Sequence, residues 1–167
     1  MSGNRYLLDT NAIVALLQGN PQLIQLLQNA DWIGVSVISE IEFLAFSGLS
    51  QNDRLLFQQF LQRVEVVGLT AGDALLIEKI IEIRQQYRLK LPDAAIAAMA
   101  IQNSASLVTA DREFAKVKIL NIITAICDRT RHTQNYLTDL KSKPQTTMIK
   151  PIRRAIFFGG DERPKMR

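Results

Sequence analysis

A chain of 167 residues, 47% hydrophobic and 22% charged, has the make-up of one folded domain and excludes a disordered or fibrous protein. One cysteine, Cys127, and one histidine, His132, exclude an internal disulfide and argue against a zinc site of the usual type or Ser-His-Asp and Cys-His catalysis. The net charge of +4 is uneven: residues 1–125 carry ten Lys/Arg against twelve Asp/Glu, and residues 126–167 carry ten against four.

In chain order, short β-branched or leucine-rich runs alternate with helical patterns, the signature of βα units on a parallel sheet. Strands are predicted at Arg5–Leu8, Ile33–Val37, Val64–Val67, Leu107–Val108 and Ile119–Ile122. After the first strand Asn11 opens the helix "AIVALLQ", which Gly19 or Asn20 breaks, and Pro21 stands in the first turn of "PQLIQLLQN". Ser39 with Glu42 has the spacing of a capping box before "FLAF", and Thr70 with Asp73 repeats it before an amphipathic helix over Ala71–Tyr87. Asp93 is expected to cap the helix "AAIAAMAI", whose eight residues carry no polar side chain, and Asp111 to cap a short one. These patterns imply a three-layer α/β/α fold around a mostly parallel five-stranded sheet, over residues 1–125.

Residues 126–167 show no sustained periodicity beyond one short helical stretch near Asn135–Lys141. They are expected to form a basic, partly disordered C-terminal extension rather than a second domain. No basic and apolar leader opens the chain, and no apolar run approaches the ~20 residues of a membrane span. The expectation is a cytoplasmic protein with no membrane partner.

Four acids, Asp9, Glu42, Asp93 and Asp111, stand where strands hand over to helices. Each has a local capping role open to it. In a parallel open sheet, however, the carboxyl ends of the strands share one edge, and ligands bind in the crevice there. Like charges about 5 Å apart repel by roughly 3 kcal/mol at an effective dielectric near 20, so a carboxylate cluster calls for a cation. Hard cations such as Mg2+ or Mn2+ take carboxylate oxygens and leave room for water and phosphate oxygens. The chemistry that follows is metal-assisted hydrolysis, with phosphodiesters as the best-suited substrate class.

Four stretches, "YLLDTNAIVALL", "VSVISEIEFLAF", "LPDAAIAAMAI" and "LVTADREF", resemble in order and spacing the motifs of PIN-domain ribonucleases, most closely the VapC-type toxins of toxin–antitoxin pairs. The resemblance spans about residues 4–125. It implies that Asp9, Glu42, Asp93 and Asp111 are the metal-binding catalytic acids, with Asn11 and Thr109 as supporting polar positions. Glu40 competes with Glu42; the family's S-x-x-S/T-x-x-E pattern, here Ser36, Ser39 and Glu42, favours the latter, while Glu113 is a candidate outer ligand. It further implies a Mg2+-dependent endoribonuclease, an RNA substrate, a homodimer and a cognate antitoxin protein. The basic extension departs from the family pattern.

Two other strand-end aspartate families fit less well. The D-x-D-x-T motif of haloacid dehalogenase-type enzymes meets Asn11 and Ile13 at its second acid and threonine positions, and "YLLDTN" lacks the acidic pair of a response-regulator receiver. A PIN-like module that binds RNA or protein without cutting stays open as the alternative, and turnover discriminates the two.

Overall fold

The structure, a computed structural model, describes residues 3–124. The basic extension and the helical stretch expected within it lie outside the described residues. Five strands form one all-parallel sheet: β1 (Arg5–Leu8), β2 (Trp32–Ser36), β3 (Glu65–Val67), β4 (Ser106–Val108) and β5 (Ile122–Ile123). Their spatial order is β3-β2-β1-β4-β5. The chain builds outward from β1 to β3, then crosses to the other side of β1. The sheet therefore reverses direction between β1 and β4, the point where parallel sheets bind ligands outside their carboxyl ends.

The alternation of side chains along a strand divides the core in two. Tyr6, Leu8, Val35 and Val108 face one layer, packed with helices α1 (Thr10–Leu17), α2 (Pro21–Gln28) and α4 (Gln51–Leu61). Leu7 and Leu107 face the opposite layer, formed by α5 (Ala74–Tyr87) and α6 (Leu91–Gln102). Helix α3 (Val37–Leu44) contacts both α1 and α6. The expected three-layer architecture is present, and every strand pairing is parallel.

Several boundaries differ from expectation for local reasons. β2 ends at Ser36 because its hydroxyl accepts the Ser39 N–H at 3.0 Å and starts α3; Ser36, not Ser39, is the cap, and Glu42 lies inside the helix. Asp9 rather than Asn11 caps α1, accepting the Thr10 N–H at 2.7 Å. Thr70 does donate to Asp73, from N at 3.0 Å and from Oγ1 at 2.8 Å, but α5 starts only at Ala74. Asp93 does not cap α6: Lys90 holds that position, Pro92 occupies the first turn where its missing N–H matters least, and Asp93 is the third helical residue. β5 is two residues long because the chain is still turning before it, Leu120 N–H donating to Val117 O at 3.1 Å, which leaves Ile119 exposed. Helix α4 has no counterpart among the predicted elements. Its start is a full capping box between Ser50 and Asp53.

Gly34 in β2 carries a packing requirement. A Cβ there would lie 2.2 Å from the Trp32 ring, which lies over the same face two residues earlier. That ring cannot swing aside cheaply, because its Nε1 donates to Glu65 Oε2 at 2.7 Å and the Arg5 guanidinium stacks on it at 4.4 Å. Gly34→Ala is expected to lower stability by about 1–3 kcal/mol, the usual range for overpacking, read from chemical denaturation. An unchanged denaturation midpoint would show the ring to be free to move.

Candidate active site

The first site residue is placed by the sheet itself. Asp9 directly follows β1, and its N–H continues the ladder to β4 by donating to Val108 O at 3.1 Å. Asp9 as a residue is only 6% exposed, yet its carboxylate is well supplied with donors. Oδ1 accepts the Thr10 N–H at 2.7 Å, while Oδ2 accepts Asn11 Nδ2 at 2.9 Å and Thr109 Oγ1 at 2.8 Å.

Thr109 follows β4 as Asp9 follows β1, and its side chain is fully buried. The hydroxyl donates to Asp9 and accepts from Asn11 Nδ2 at 3.2 Å and from the Asp111 N–H at 3.0 Å. One donor and two acceptors exhaust a hydroxyl, so its orientation is fixed. Asn11 closes the ring through Oδ1, which accepts the Ala110 N–H at 2.9 Å. The two supporting positions thus fasten the loop after β4 to the start of α1. Asp111 then caps the 3-10 helix Arg112–Lys116, its Oδ1 accepting the Glu113 N–H at 2.8 Å, as expected.

Two acids come from the helices. Asp93 is half-buried near the start of α6, whose residues Ala94–Ala100 are all buried; small side chains let that helix lie close to its neighbours and hold its N-terminal turn rigidly. Glu42 projects from α3 and is exposed, with Oε2 accepting Thr10 Oγ1 at 2.6 Å. Thr10 was not among the expected site residues, because its partner is 32 positions away.

Glu42 and Asp111 act electrostatically on both Asp9 and Asp93. Burial chiefly, with the charges of Glu42 and Asp111 added, raises the Asp9 carboxyl from 3.8 to about 6 against the lowering effect of its hydrogen bonds. The Asp93 carboxyl is also raised, first by burial, then by Asp111 and Glu42, with Glu113 adding to it and Lys90 opposing. Glu113 therefore stands at the rim, where it pairs with Lys116. Glu40, in the first turn of α3, is not among the charges that act on Asp9 or Asp93, whereas Glu42 acts on both.

The donor set suits a hard cation. It consists of carboxylates, two of them raised first by burial and then by the charges of Glu42 and Asp111, and an added positive charge would offset that repulsion. Coordination is not ready-made: among the described residues no group of three Asp, Glu, His or Cys side chains stands in a geometry that could hold a metal ion. Glu42 leans on Thr10 and Asp111 on its own helix, so the acids share a field without yet sharing a ligand position. The described helices include none long and apolar enough to cross a membrane.

Comparison with known proteins gives a consistent picture. A family model described as the PIN domain matches residues 6–120. Similar solved structures include a toxin–antitoxin complex from Klebsiella pneumoniae, 24% identical, covering 72% of this chain and 97% of that one with a TM-score of 0.60. Another is VapBC2 from Rickettsia felis bound to a DNA fragment from their promoter, 24% identical over 71% of this chain and 97% of that one, with a TM-score of 0.58. FitAcB from Neisseria gonorrhoeae is 20% identical over 72% and 97%, with a TM-score of 0.54. Among proteins with curated descriptions none matches the chain in sequence.

Proposed function

We propose that this chain, which belongs to the PIN domain family, is a metal-dependent endoribonuclease and the toxin of a toxin–antitoxin pair. The observation that carries the reading is the hydrogen-bonded ring of Asp9, Thr109 and Asn11 at the carboxyl ends of β1 and β4, with the charges of Glu42 and Asp111 acting on both Asp9 and Asp93. Support for the toxin assignment comes from the likeness to solved toxin–antitoxin complexes, and the same likeness suggests an antitoxin protein as partner. A homodimer and a cytoplasmic location complete the proposal.

In this reading Asp9, Glu42, Asp93 and Asp111 hold Mg2+ or Mn2+, which when bound supplies charge neutralisation at the scissile phosphate and an activated water. The chain's own residues supply position. Asp9 is locked by three donors and keeps only limited freedom to turn. Thr109 and Asn11 hold the loop carrying Asp111 against it, so the acids after β1 and β4 stay in register. Asp93 rides on a helix whose core is fully packed. All four act as holders rather than as nucleophiles.

Purified chain is expected to cleave RNA when Mg2+ or Mn2+ is present and to stop in excess chelator, followed on labelled single-stranded RNA. RNA binding without turnover under any divalent cation would overturn the nuclease assignment and leave a binding module. We also propose that residues 1–125 fold without the extension, since the sheet has both faces covered within 3–124. A chain ending at Ala125 is expected to unfold in one cooperative transition; loss of cooperativity would make residues 126–167 part of the core.

A further inference from the structure

Glu42 differs from the other three acids in how it is held. Asp9 and Asp111 are fixed to backbone N–H groups beside them, and Asp93 stands at the start of a fully packed helix. Glu42 is exposed on α3 and has three rotatable side-chain bonds, so packing does little to orient it. Its one hydrogen bond among the described residues comes from the Thr10 hydroxyl, at 2.6 Å. Thr10 is the first residue of α1, adjacent to Asp9, and Asp9 accepts its N–H. One residue thus ties both carboxylates: its backbone to Asp9 and its side chain to Glu42.

The geometry points to Thr10 as a positioning residue that sets the Glu42 carboxylate beside Asp9 for a divalent cation, an inference that rests on the nuclease reading above. Oε2 takes the hydroxyl, and Oε1 accepts no hydrogen bond among the described residues, which leaves one oxygen for the ion. A purely structural role fits less well. The bond lies in an exposed position between α1 and α3, where a hydrogen bond adds little net stability because water competes for both partners. Fixing a long side chain next to a rigid one sets where its second oxygen stands relative to Asp9, which matters to a site that takes an ion.

The test is Mn2+ binding to chelator-stripped protein, measured by calorimetry and by Mn2+ electron paramagnetic resonance, independent of RNA cleavage. Thr10→Val keeps the shape and removes the donor; it is expected to weaken Mn2+ binding about tenfold, the usual size for loss of a group that orients a metal ligand. Thr10→Ser is expected to stay within about twofold of the wild type. In a Glu42→Ala background Thr10→Val is expected to have no further effect, which a general structural role would not reproduce. Thr10→Ala replaces Thr10→Val if the valine variant unfolds. Wild-type affinity in Thr10→Val, or equal weakening in the Glu42→Ala background, would overturn the inference alone. Absence of Mn2+ binding by the wild-type chain would overturn both it and the nuclease reading.

Discussion

Asp93→Asn is expected to lower Mg2+-dependent RNA cleavage by at least about a hundredfold while leaving the chain folded. The substitution keeps size and shape and removes one charge. The third position of α6 tolerates asparagine, and the helix is held by the burial of Ala94–Ala100 rather than by Asp93. Its carboxyl is raised by burial and by Asp111 and Glu42, so removing the charge relieves repulsion in the metal-free protein. Stability is therefore expected to hold or rise as activity falls, a combination that general misfolding cannot give. Glu40→Gln serves as the control: it removes a charge from the first turn of α3 and is expected to leave cleavage within about twofold. Undiminished cleavage by the Asp93 variant would sink the site assignment, and cleavage that persists in excess chelator would indicate a different enzyme in the sample.

The parts of the fold that were legible in the sequence are those written in local chemistry. β1 matches its predicted bounds because "YLL" is a short apolar run between Arg5 and Asp9, and Asp111 is the cap that its place after "SLVTA" predicts. The caps of α3 and α6 were misplaced because "VSVISE" and "KLPD" each offer more than one acceptable start. Backbone geometry chose Ser36 in the first, while Pro92 drew the second start ahead of Asp93. Helix α4 escaped because "QNDRLLFQQFL" buries fully only Phe57 and Phe60, giving a sparse apolar stripe; the Ser50–Asp53 box was the signal that could have revealed it. The closeness of Asp9 to Thr109, which follow the neighbouring strands β1 and β4, comes from the rule that parallel strands share a carboxyl edge, which needs topology but no coordinates. The Thr10–Glu42 link and the ring through Thr109 and Asn11 were beyond reach, since each joins residues set apart by 32 to 100 positions.

The largest expected effect on stability comes from Asp9 and is a matter of pH. Its carboxyl sits at about 6 in the metal-free fold against 3.8 for an ordinary aspartate, chiefly because burial disfavours the charged form. Between those values the folded chain keeps a proton that the unfolded chain has released, so stability falls as pH rises. The contribution is complete below about pH 4 and lost above about pH 6. A shift of that size corresponds to about 3 kcal/mol, an upper figure because the site can relax. Asp9→Asn cannot titrate, and its Oδ1 can still accept the Thr10 N–H as a helix cap. It loses an acceptor toward Asn11 and Thr109, but that loss is the same at every pH. In urea titrations from pH 4 to 7.5 with chelator present, the wild type is thus expected to lose up to about 3 kcal/mol relative to Asp9→Asn. Groups with no interaction with Asp9 cancel in this difference, among them Asp73, whose lowering by its Thr70 hydrogen bonds acts in the opposite direction. Saturating Mn2+ at pH 7.5 is expected to restore the wild type and not the variant, because an ion that binds the charged carboxylate stabilises only the fold that presents it. A difference that stays flat with pH would show that water reaches Asp9 freely and that its burial does not govern the site.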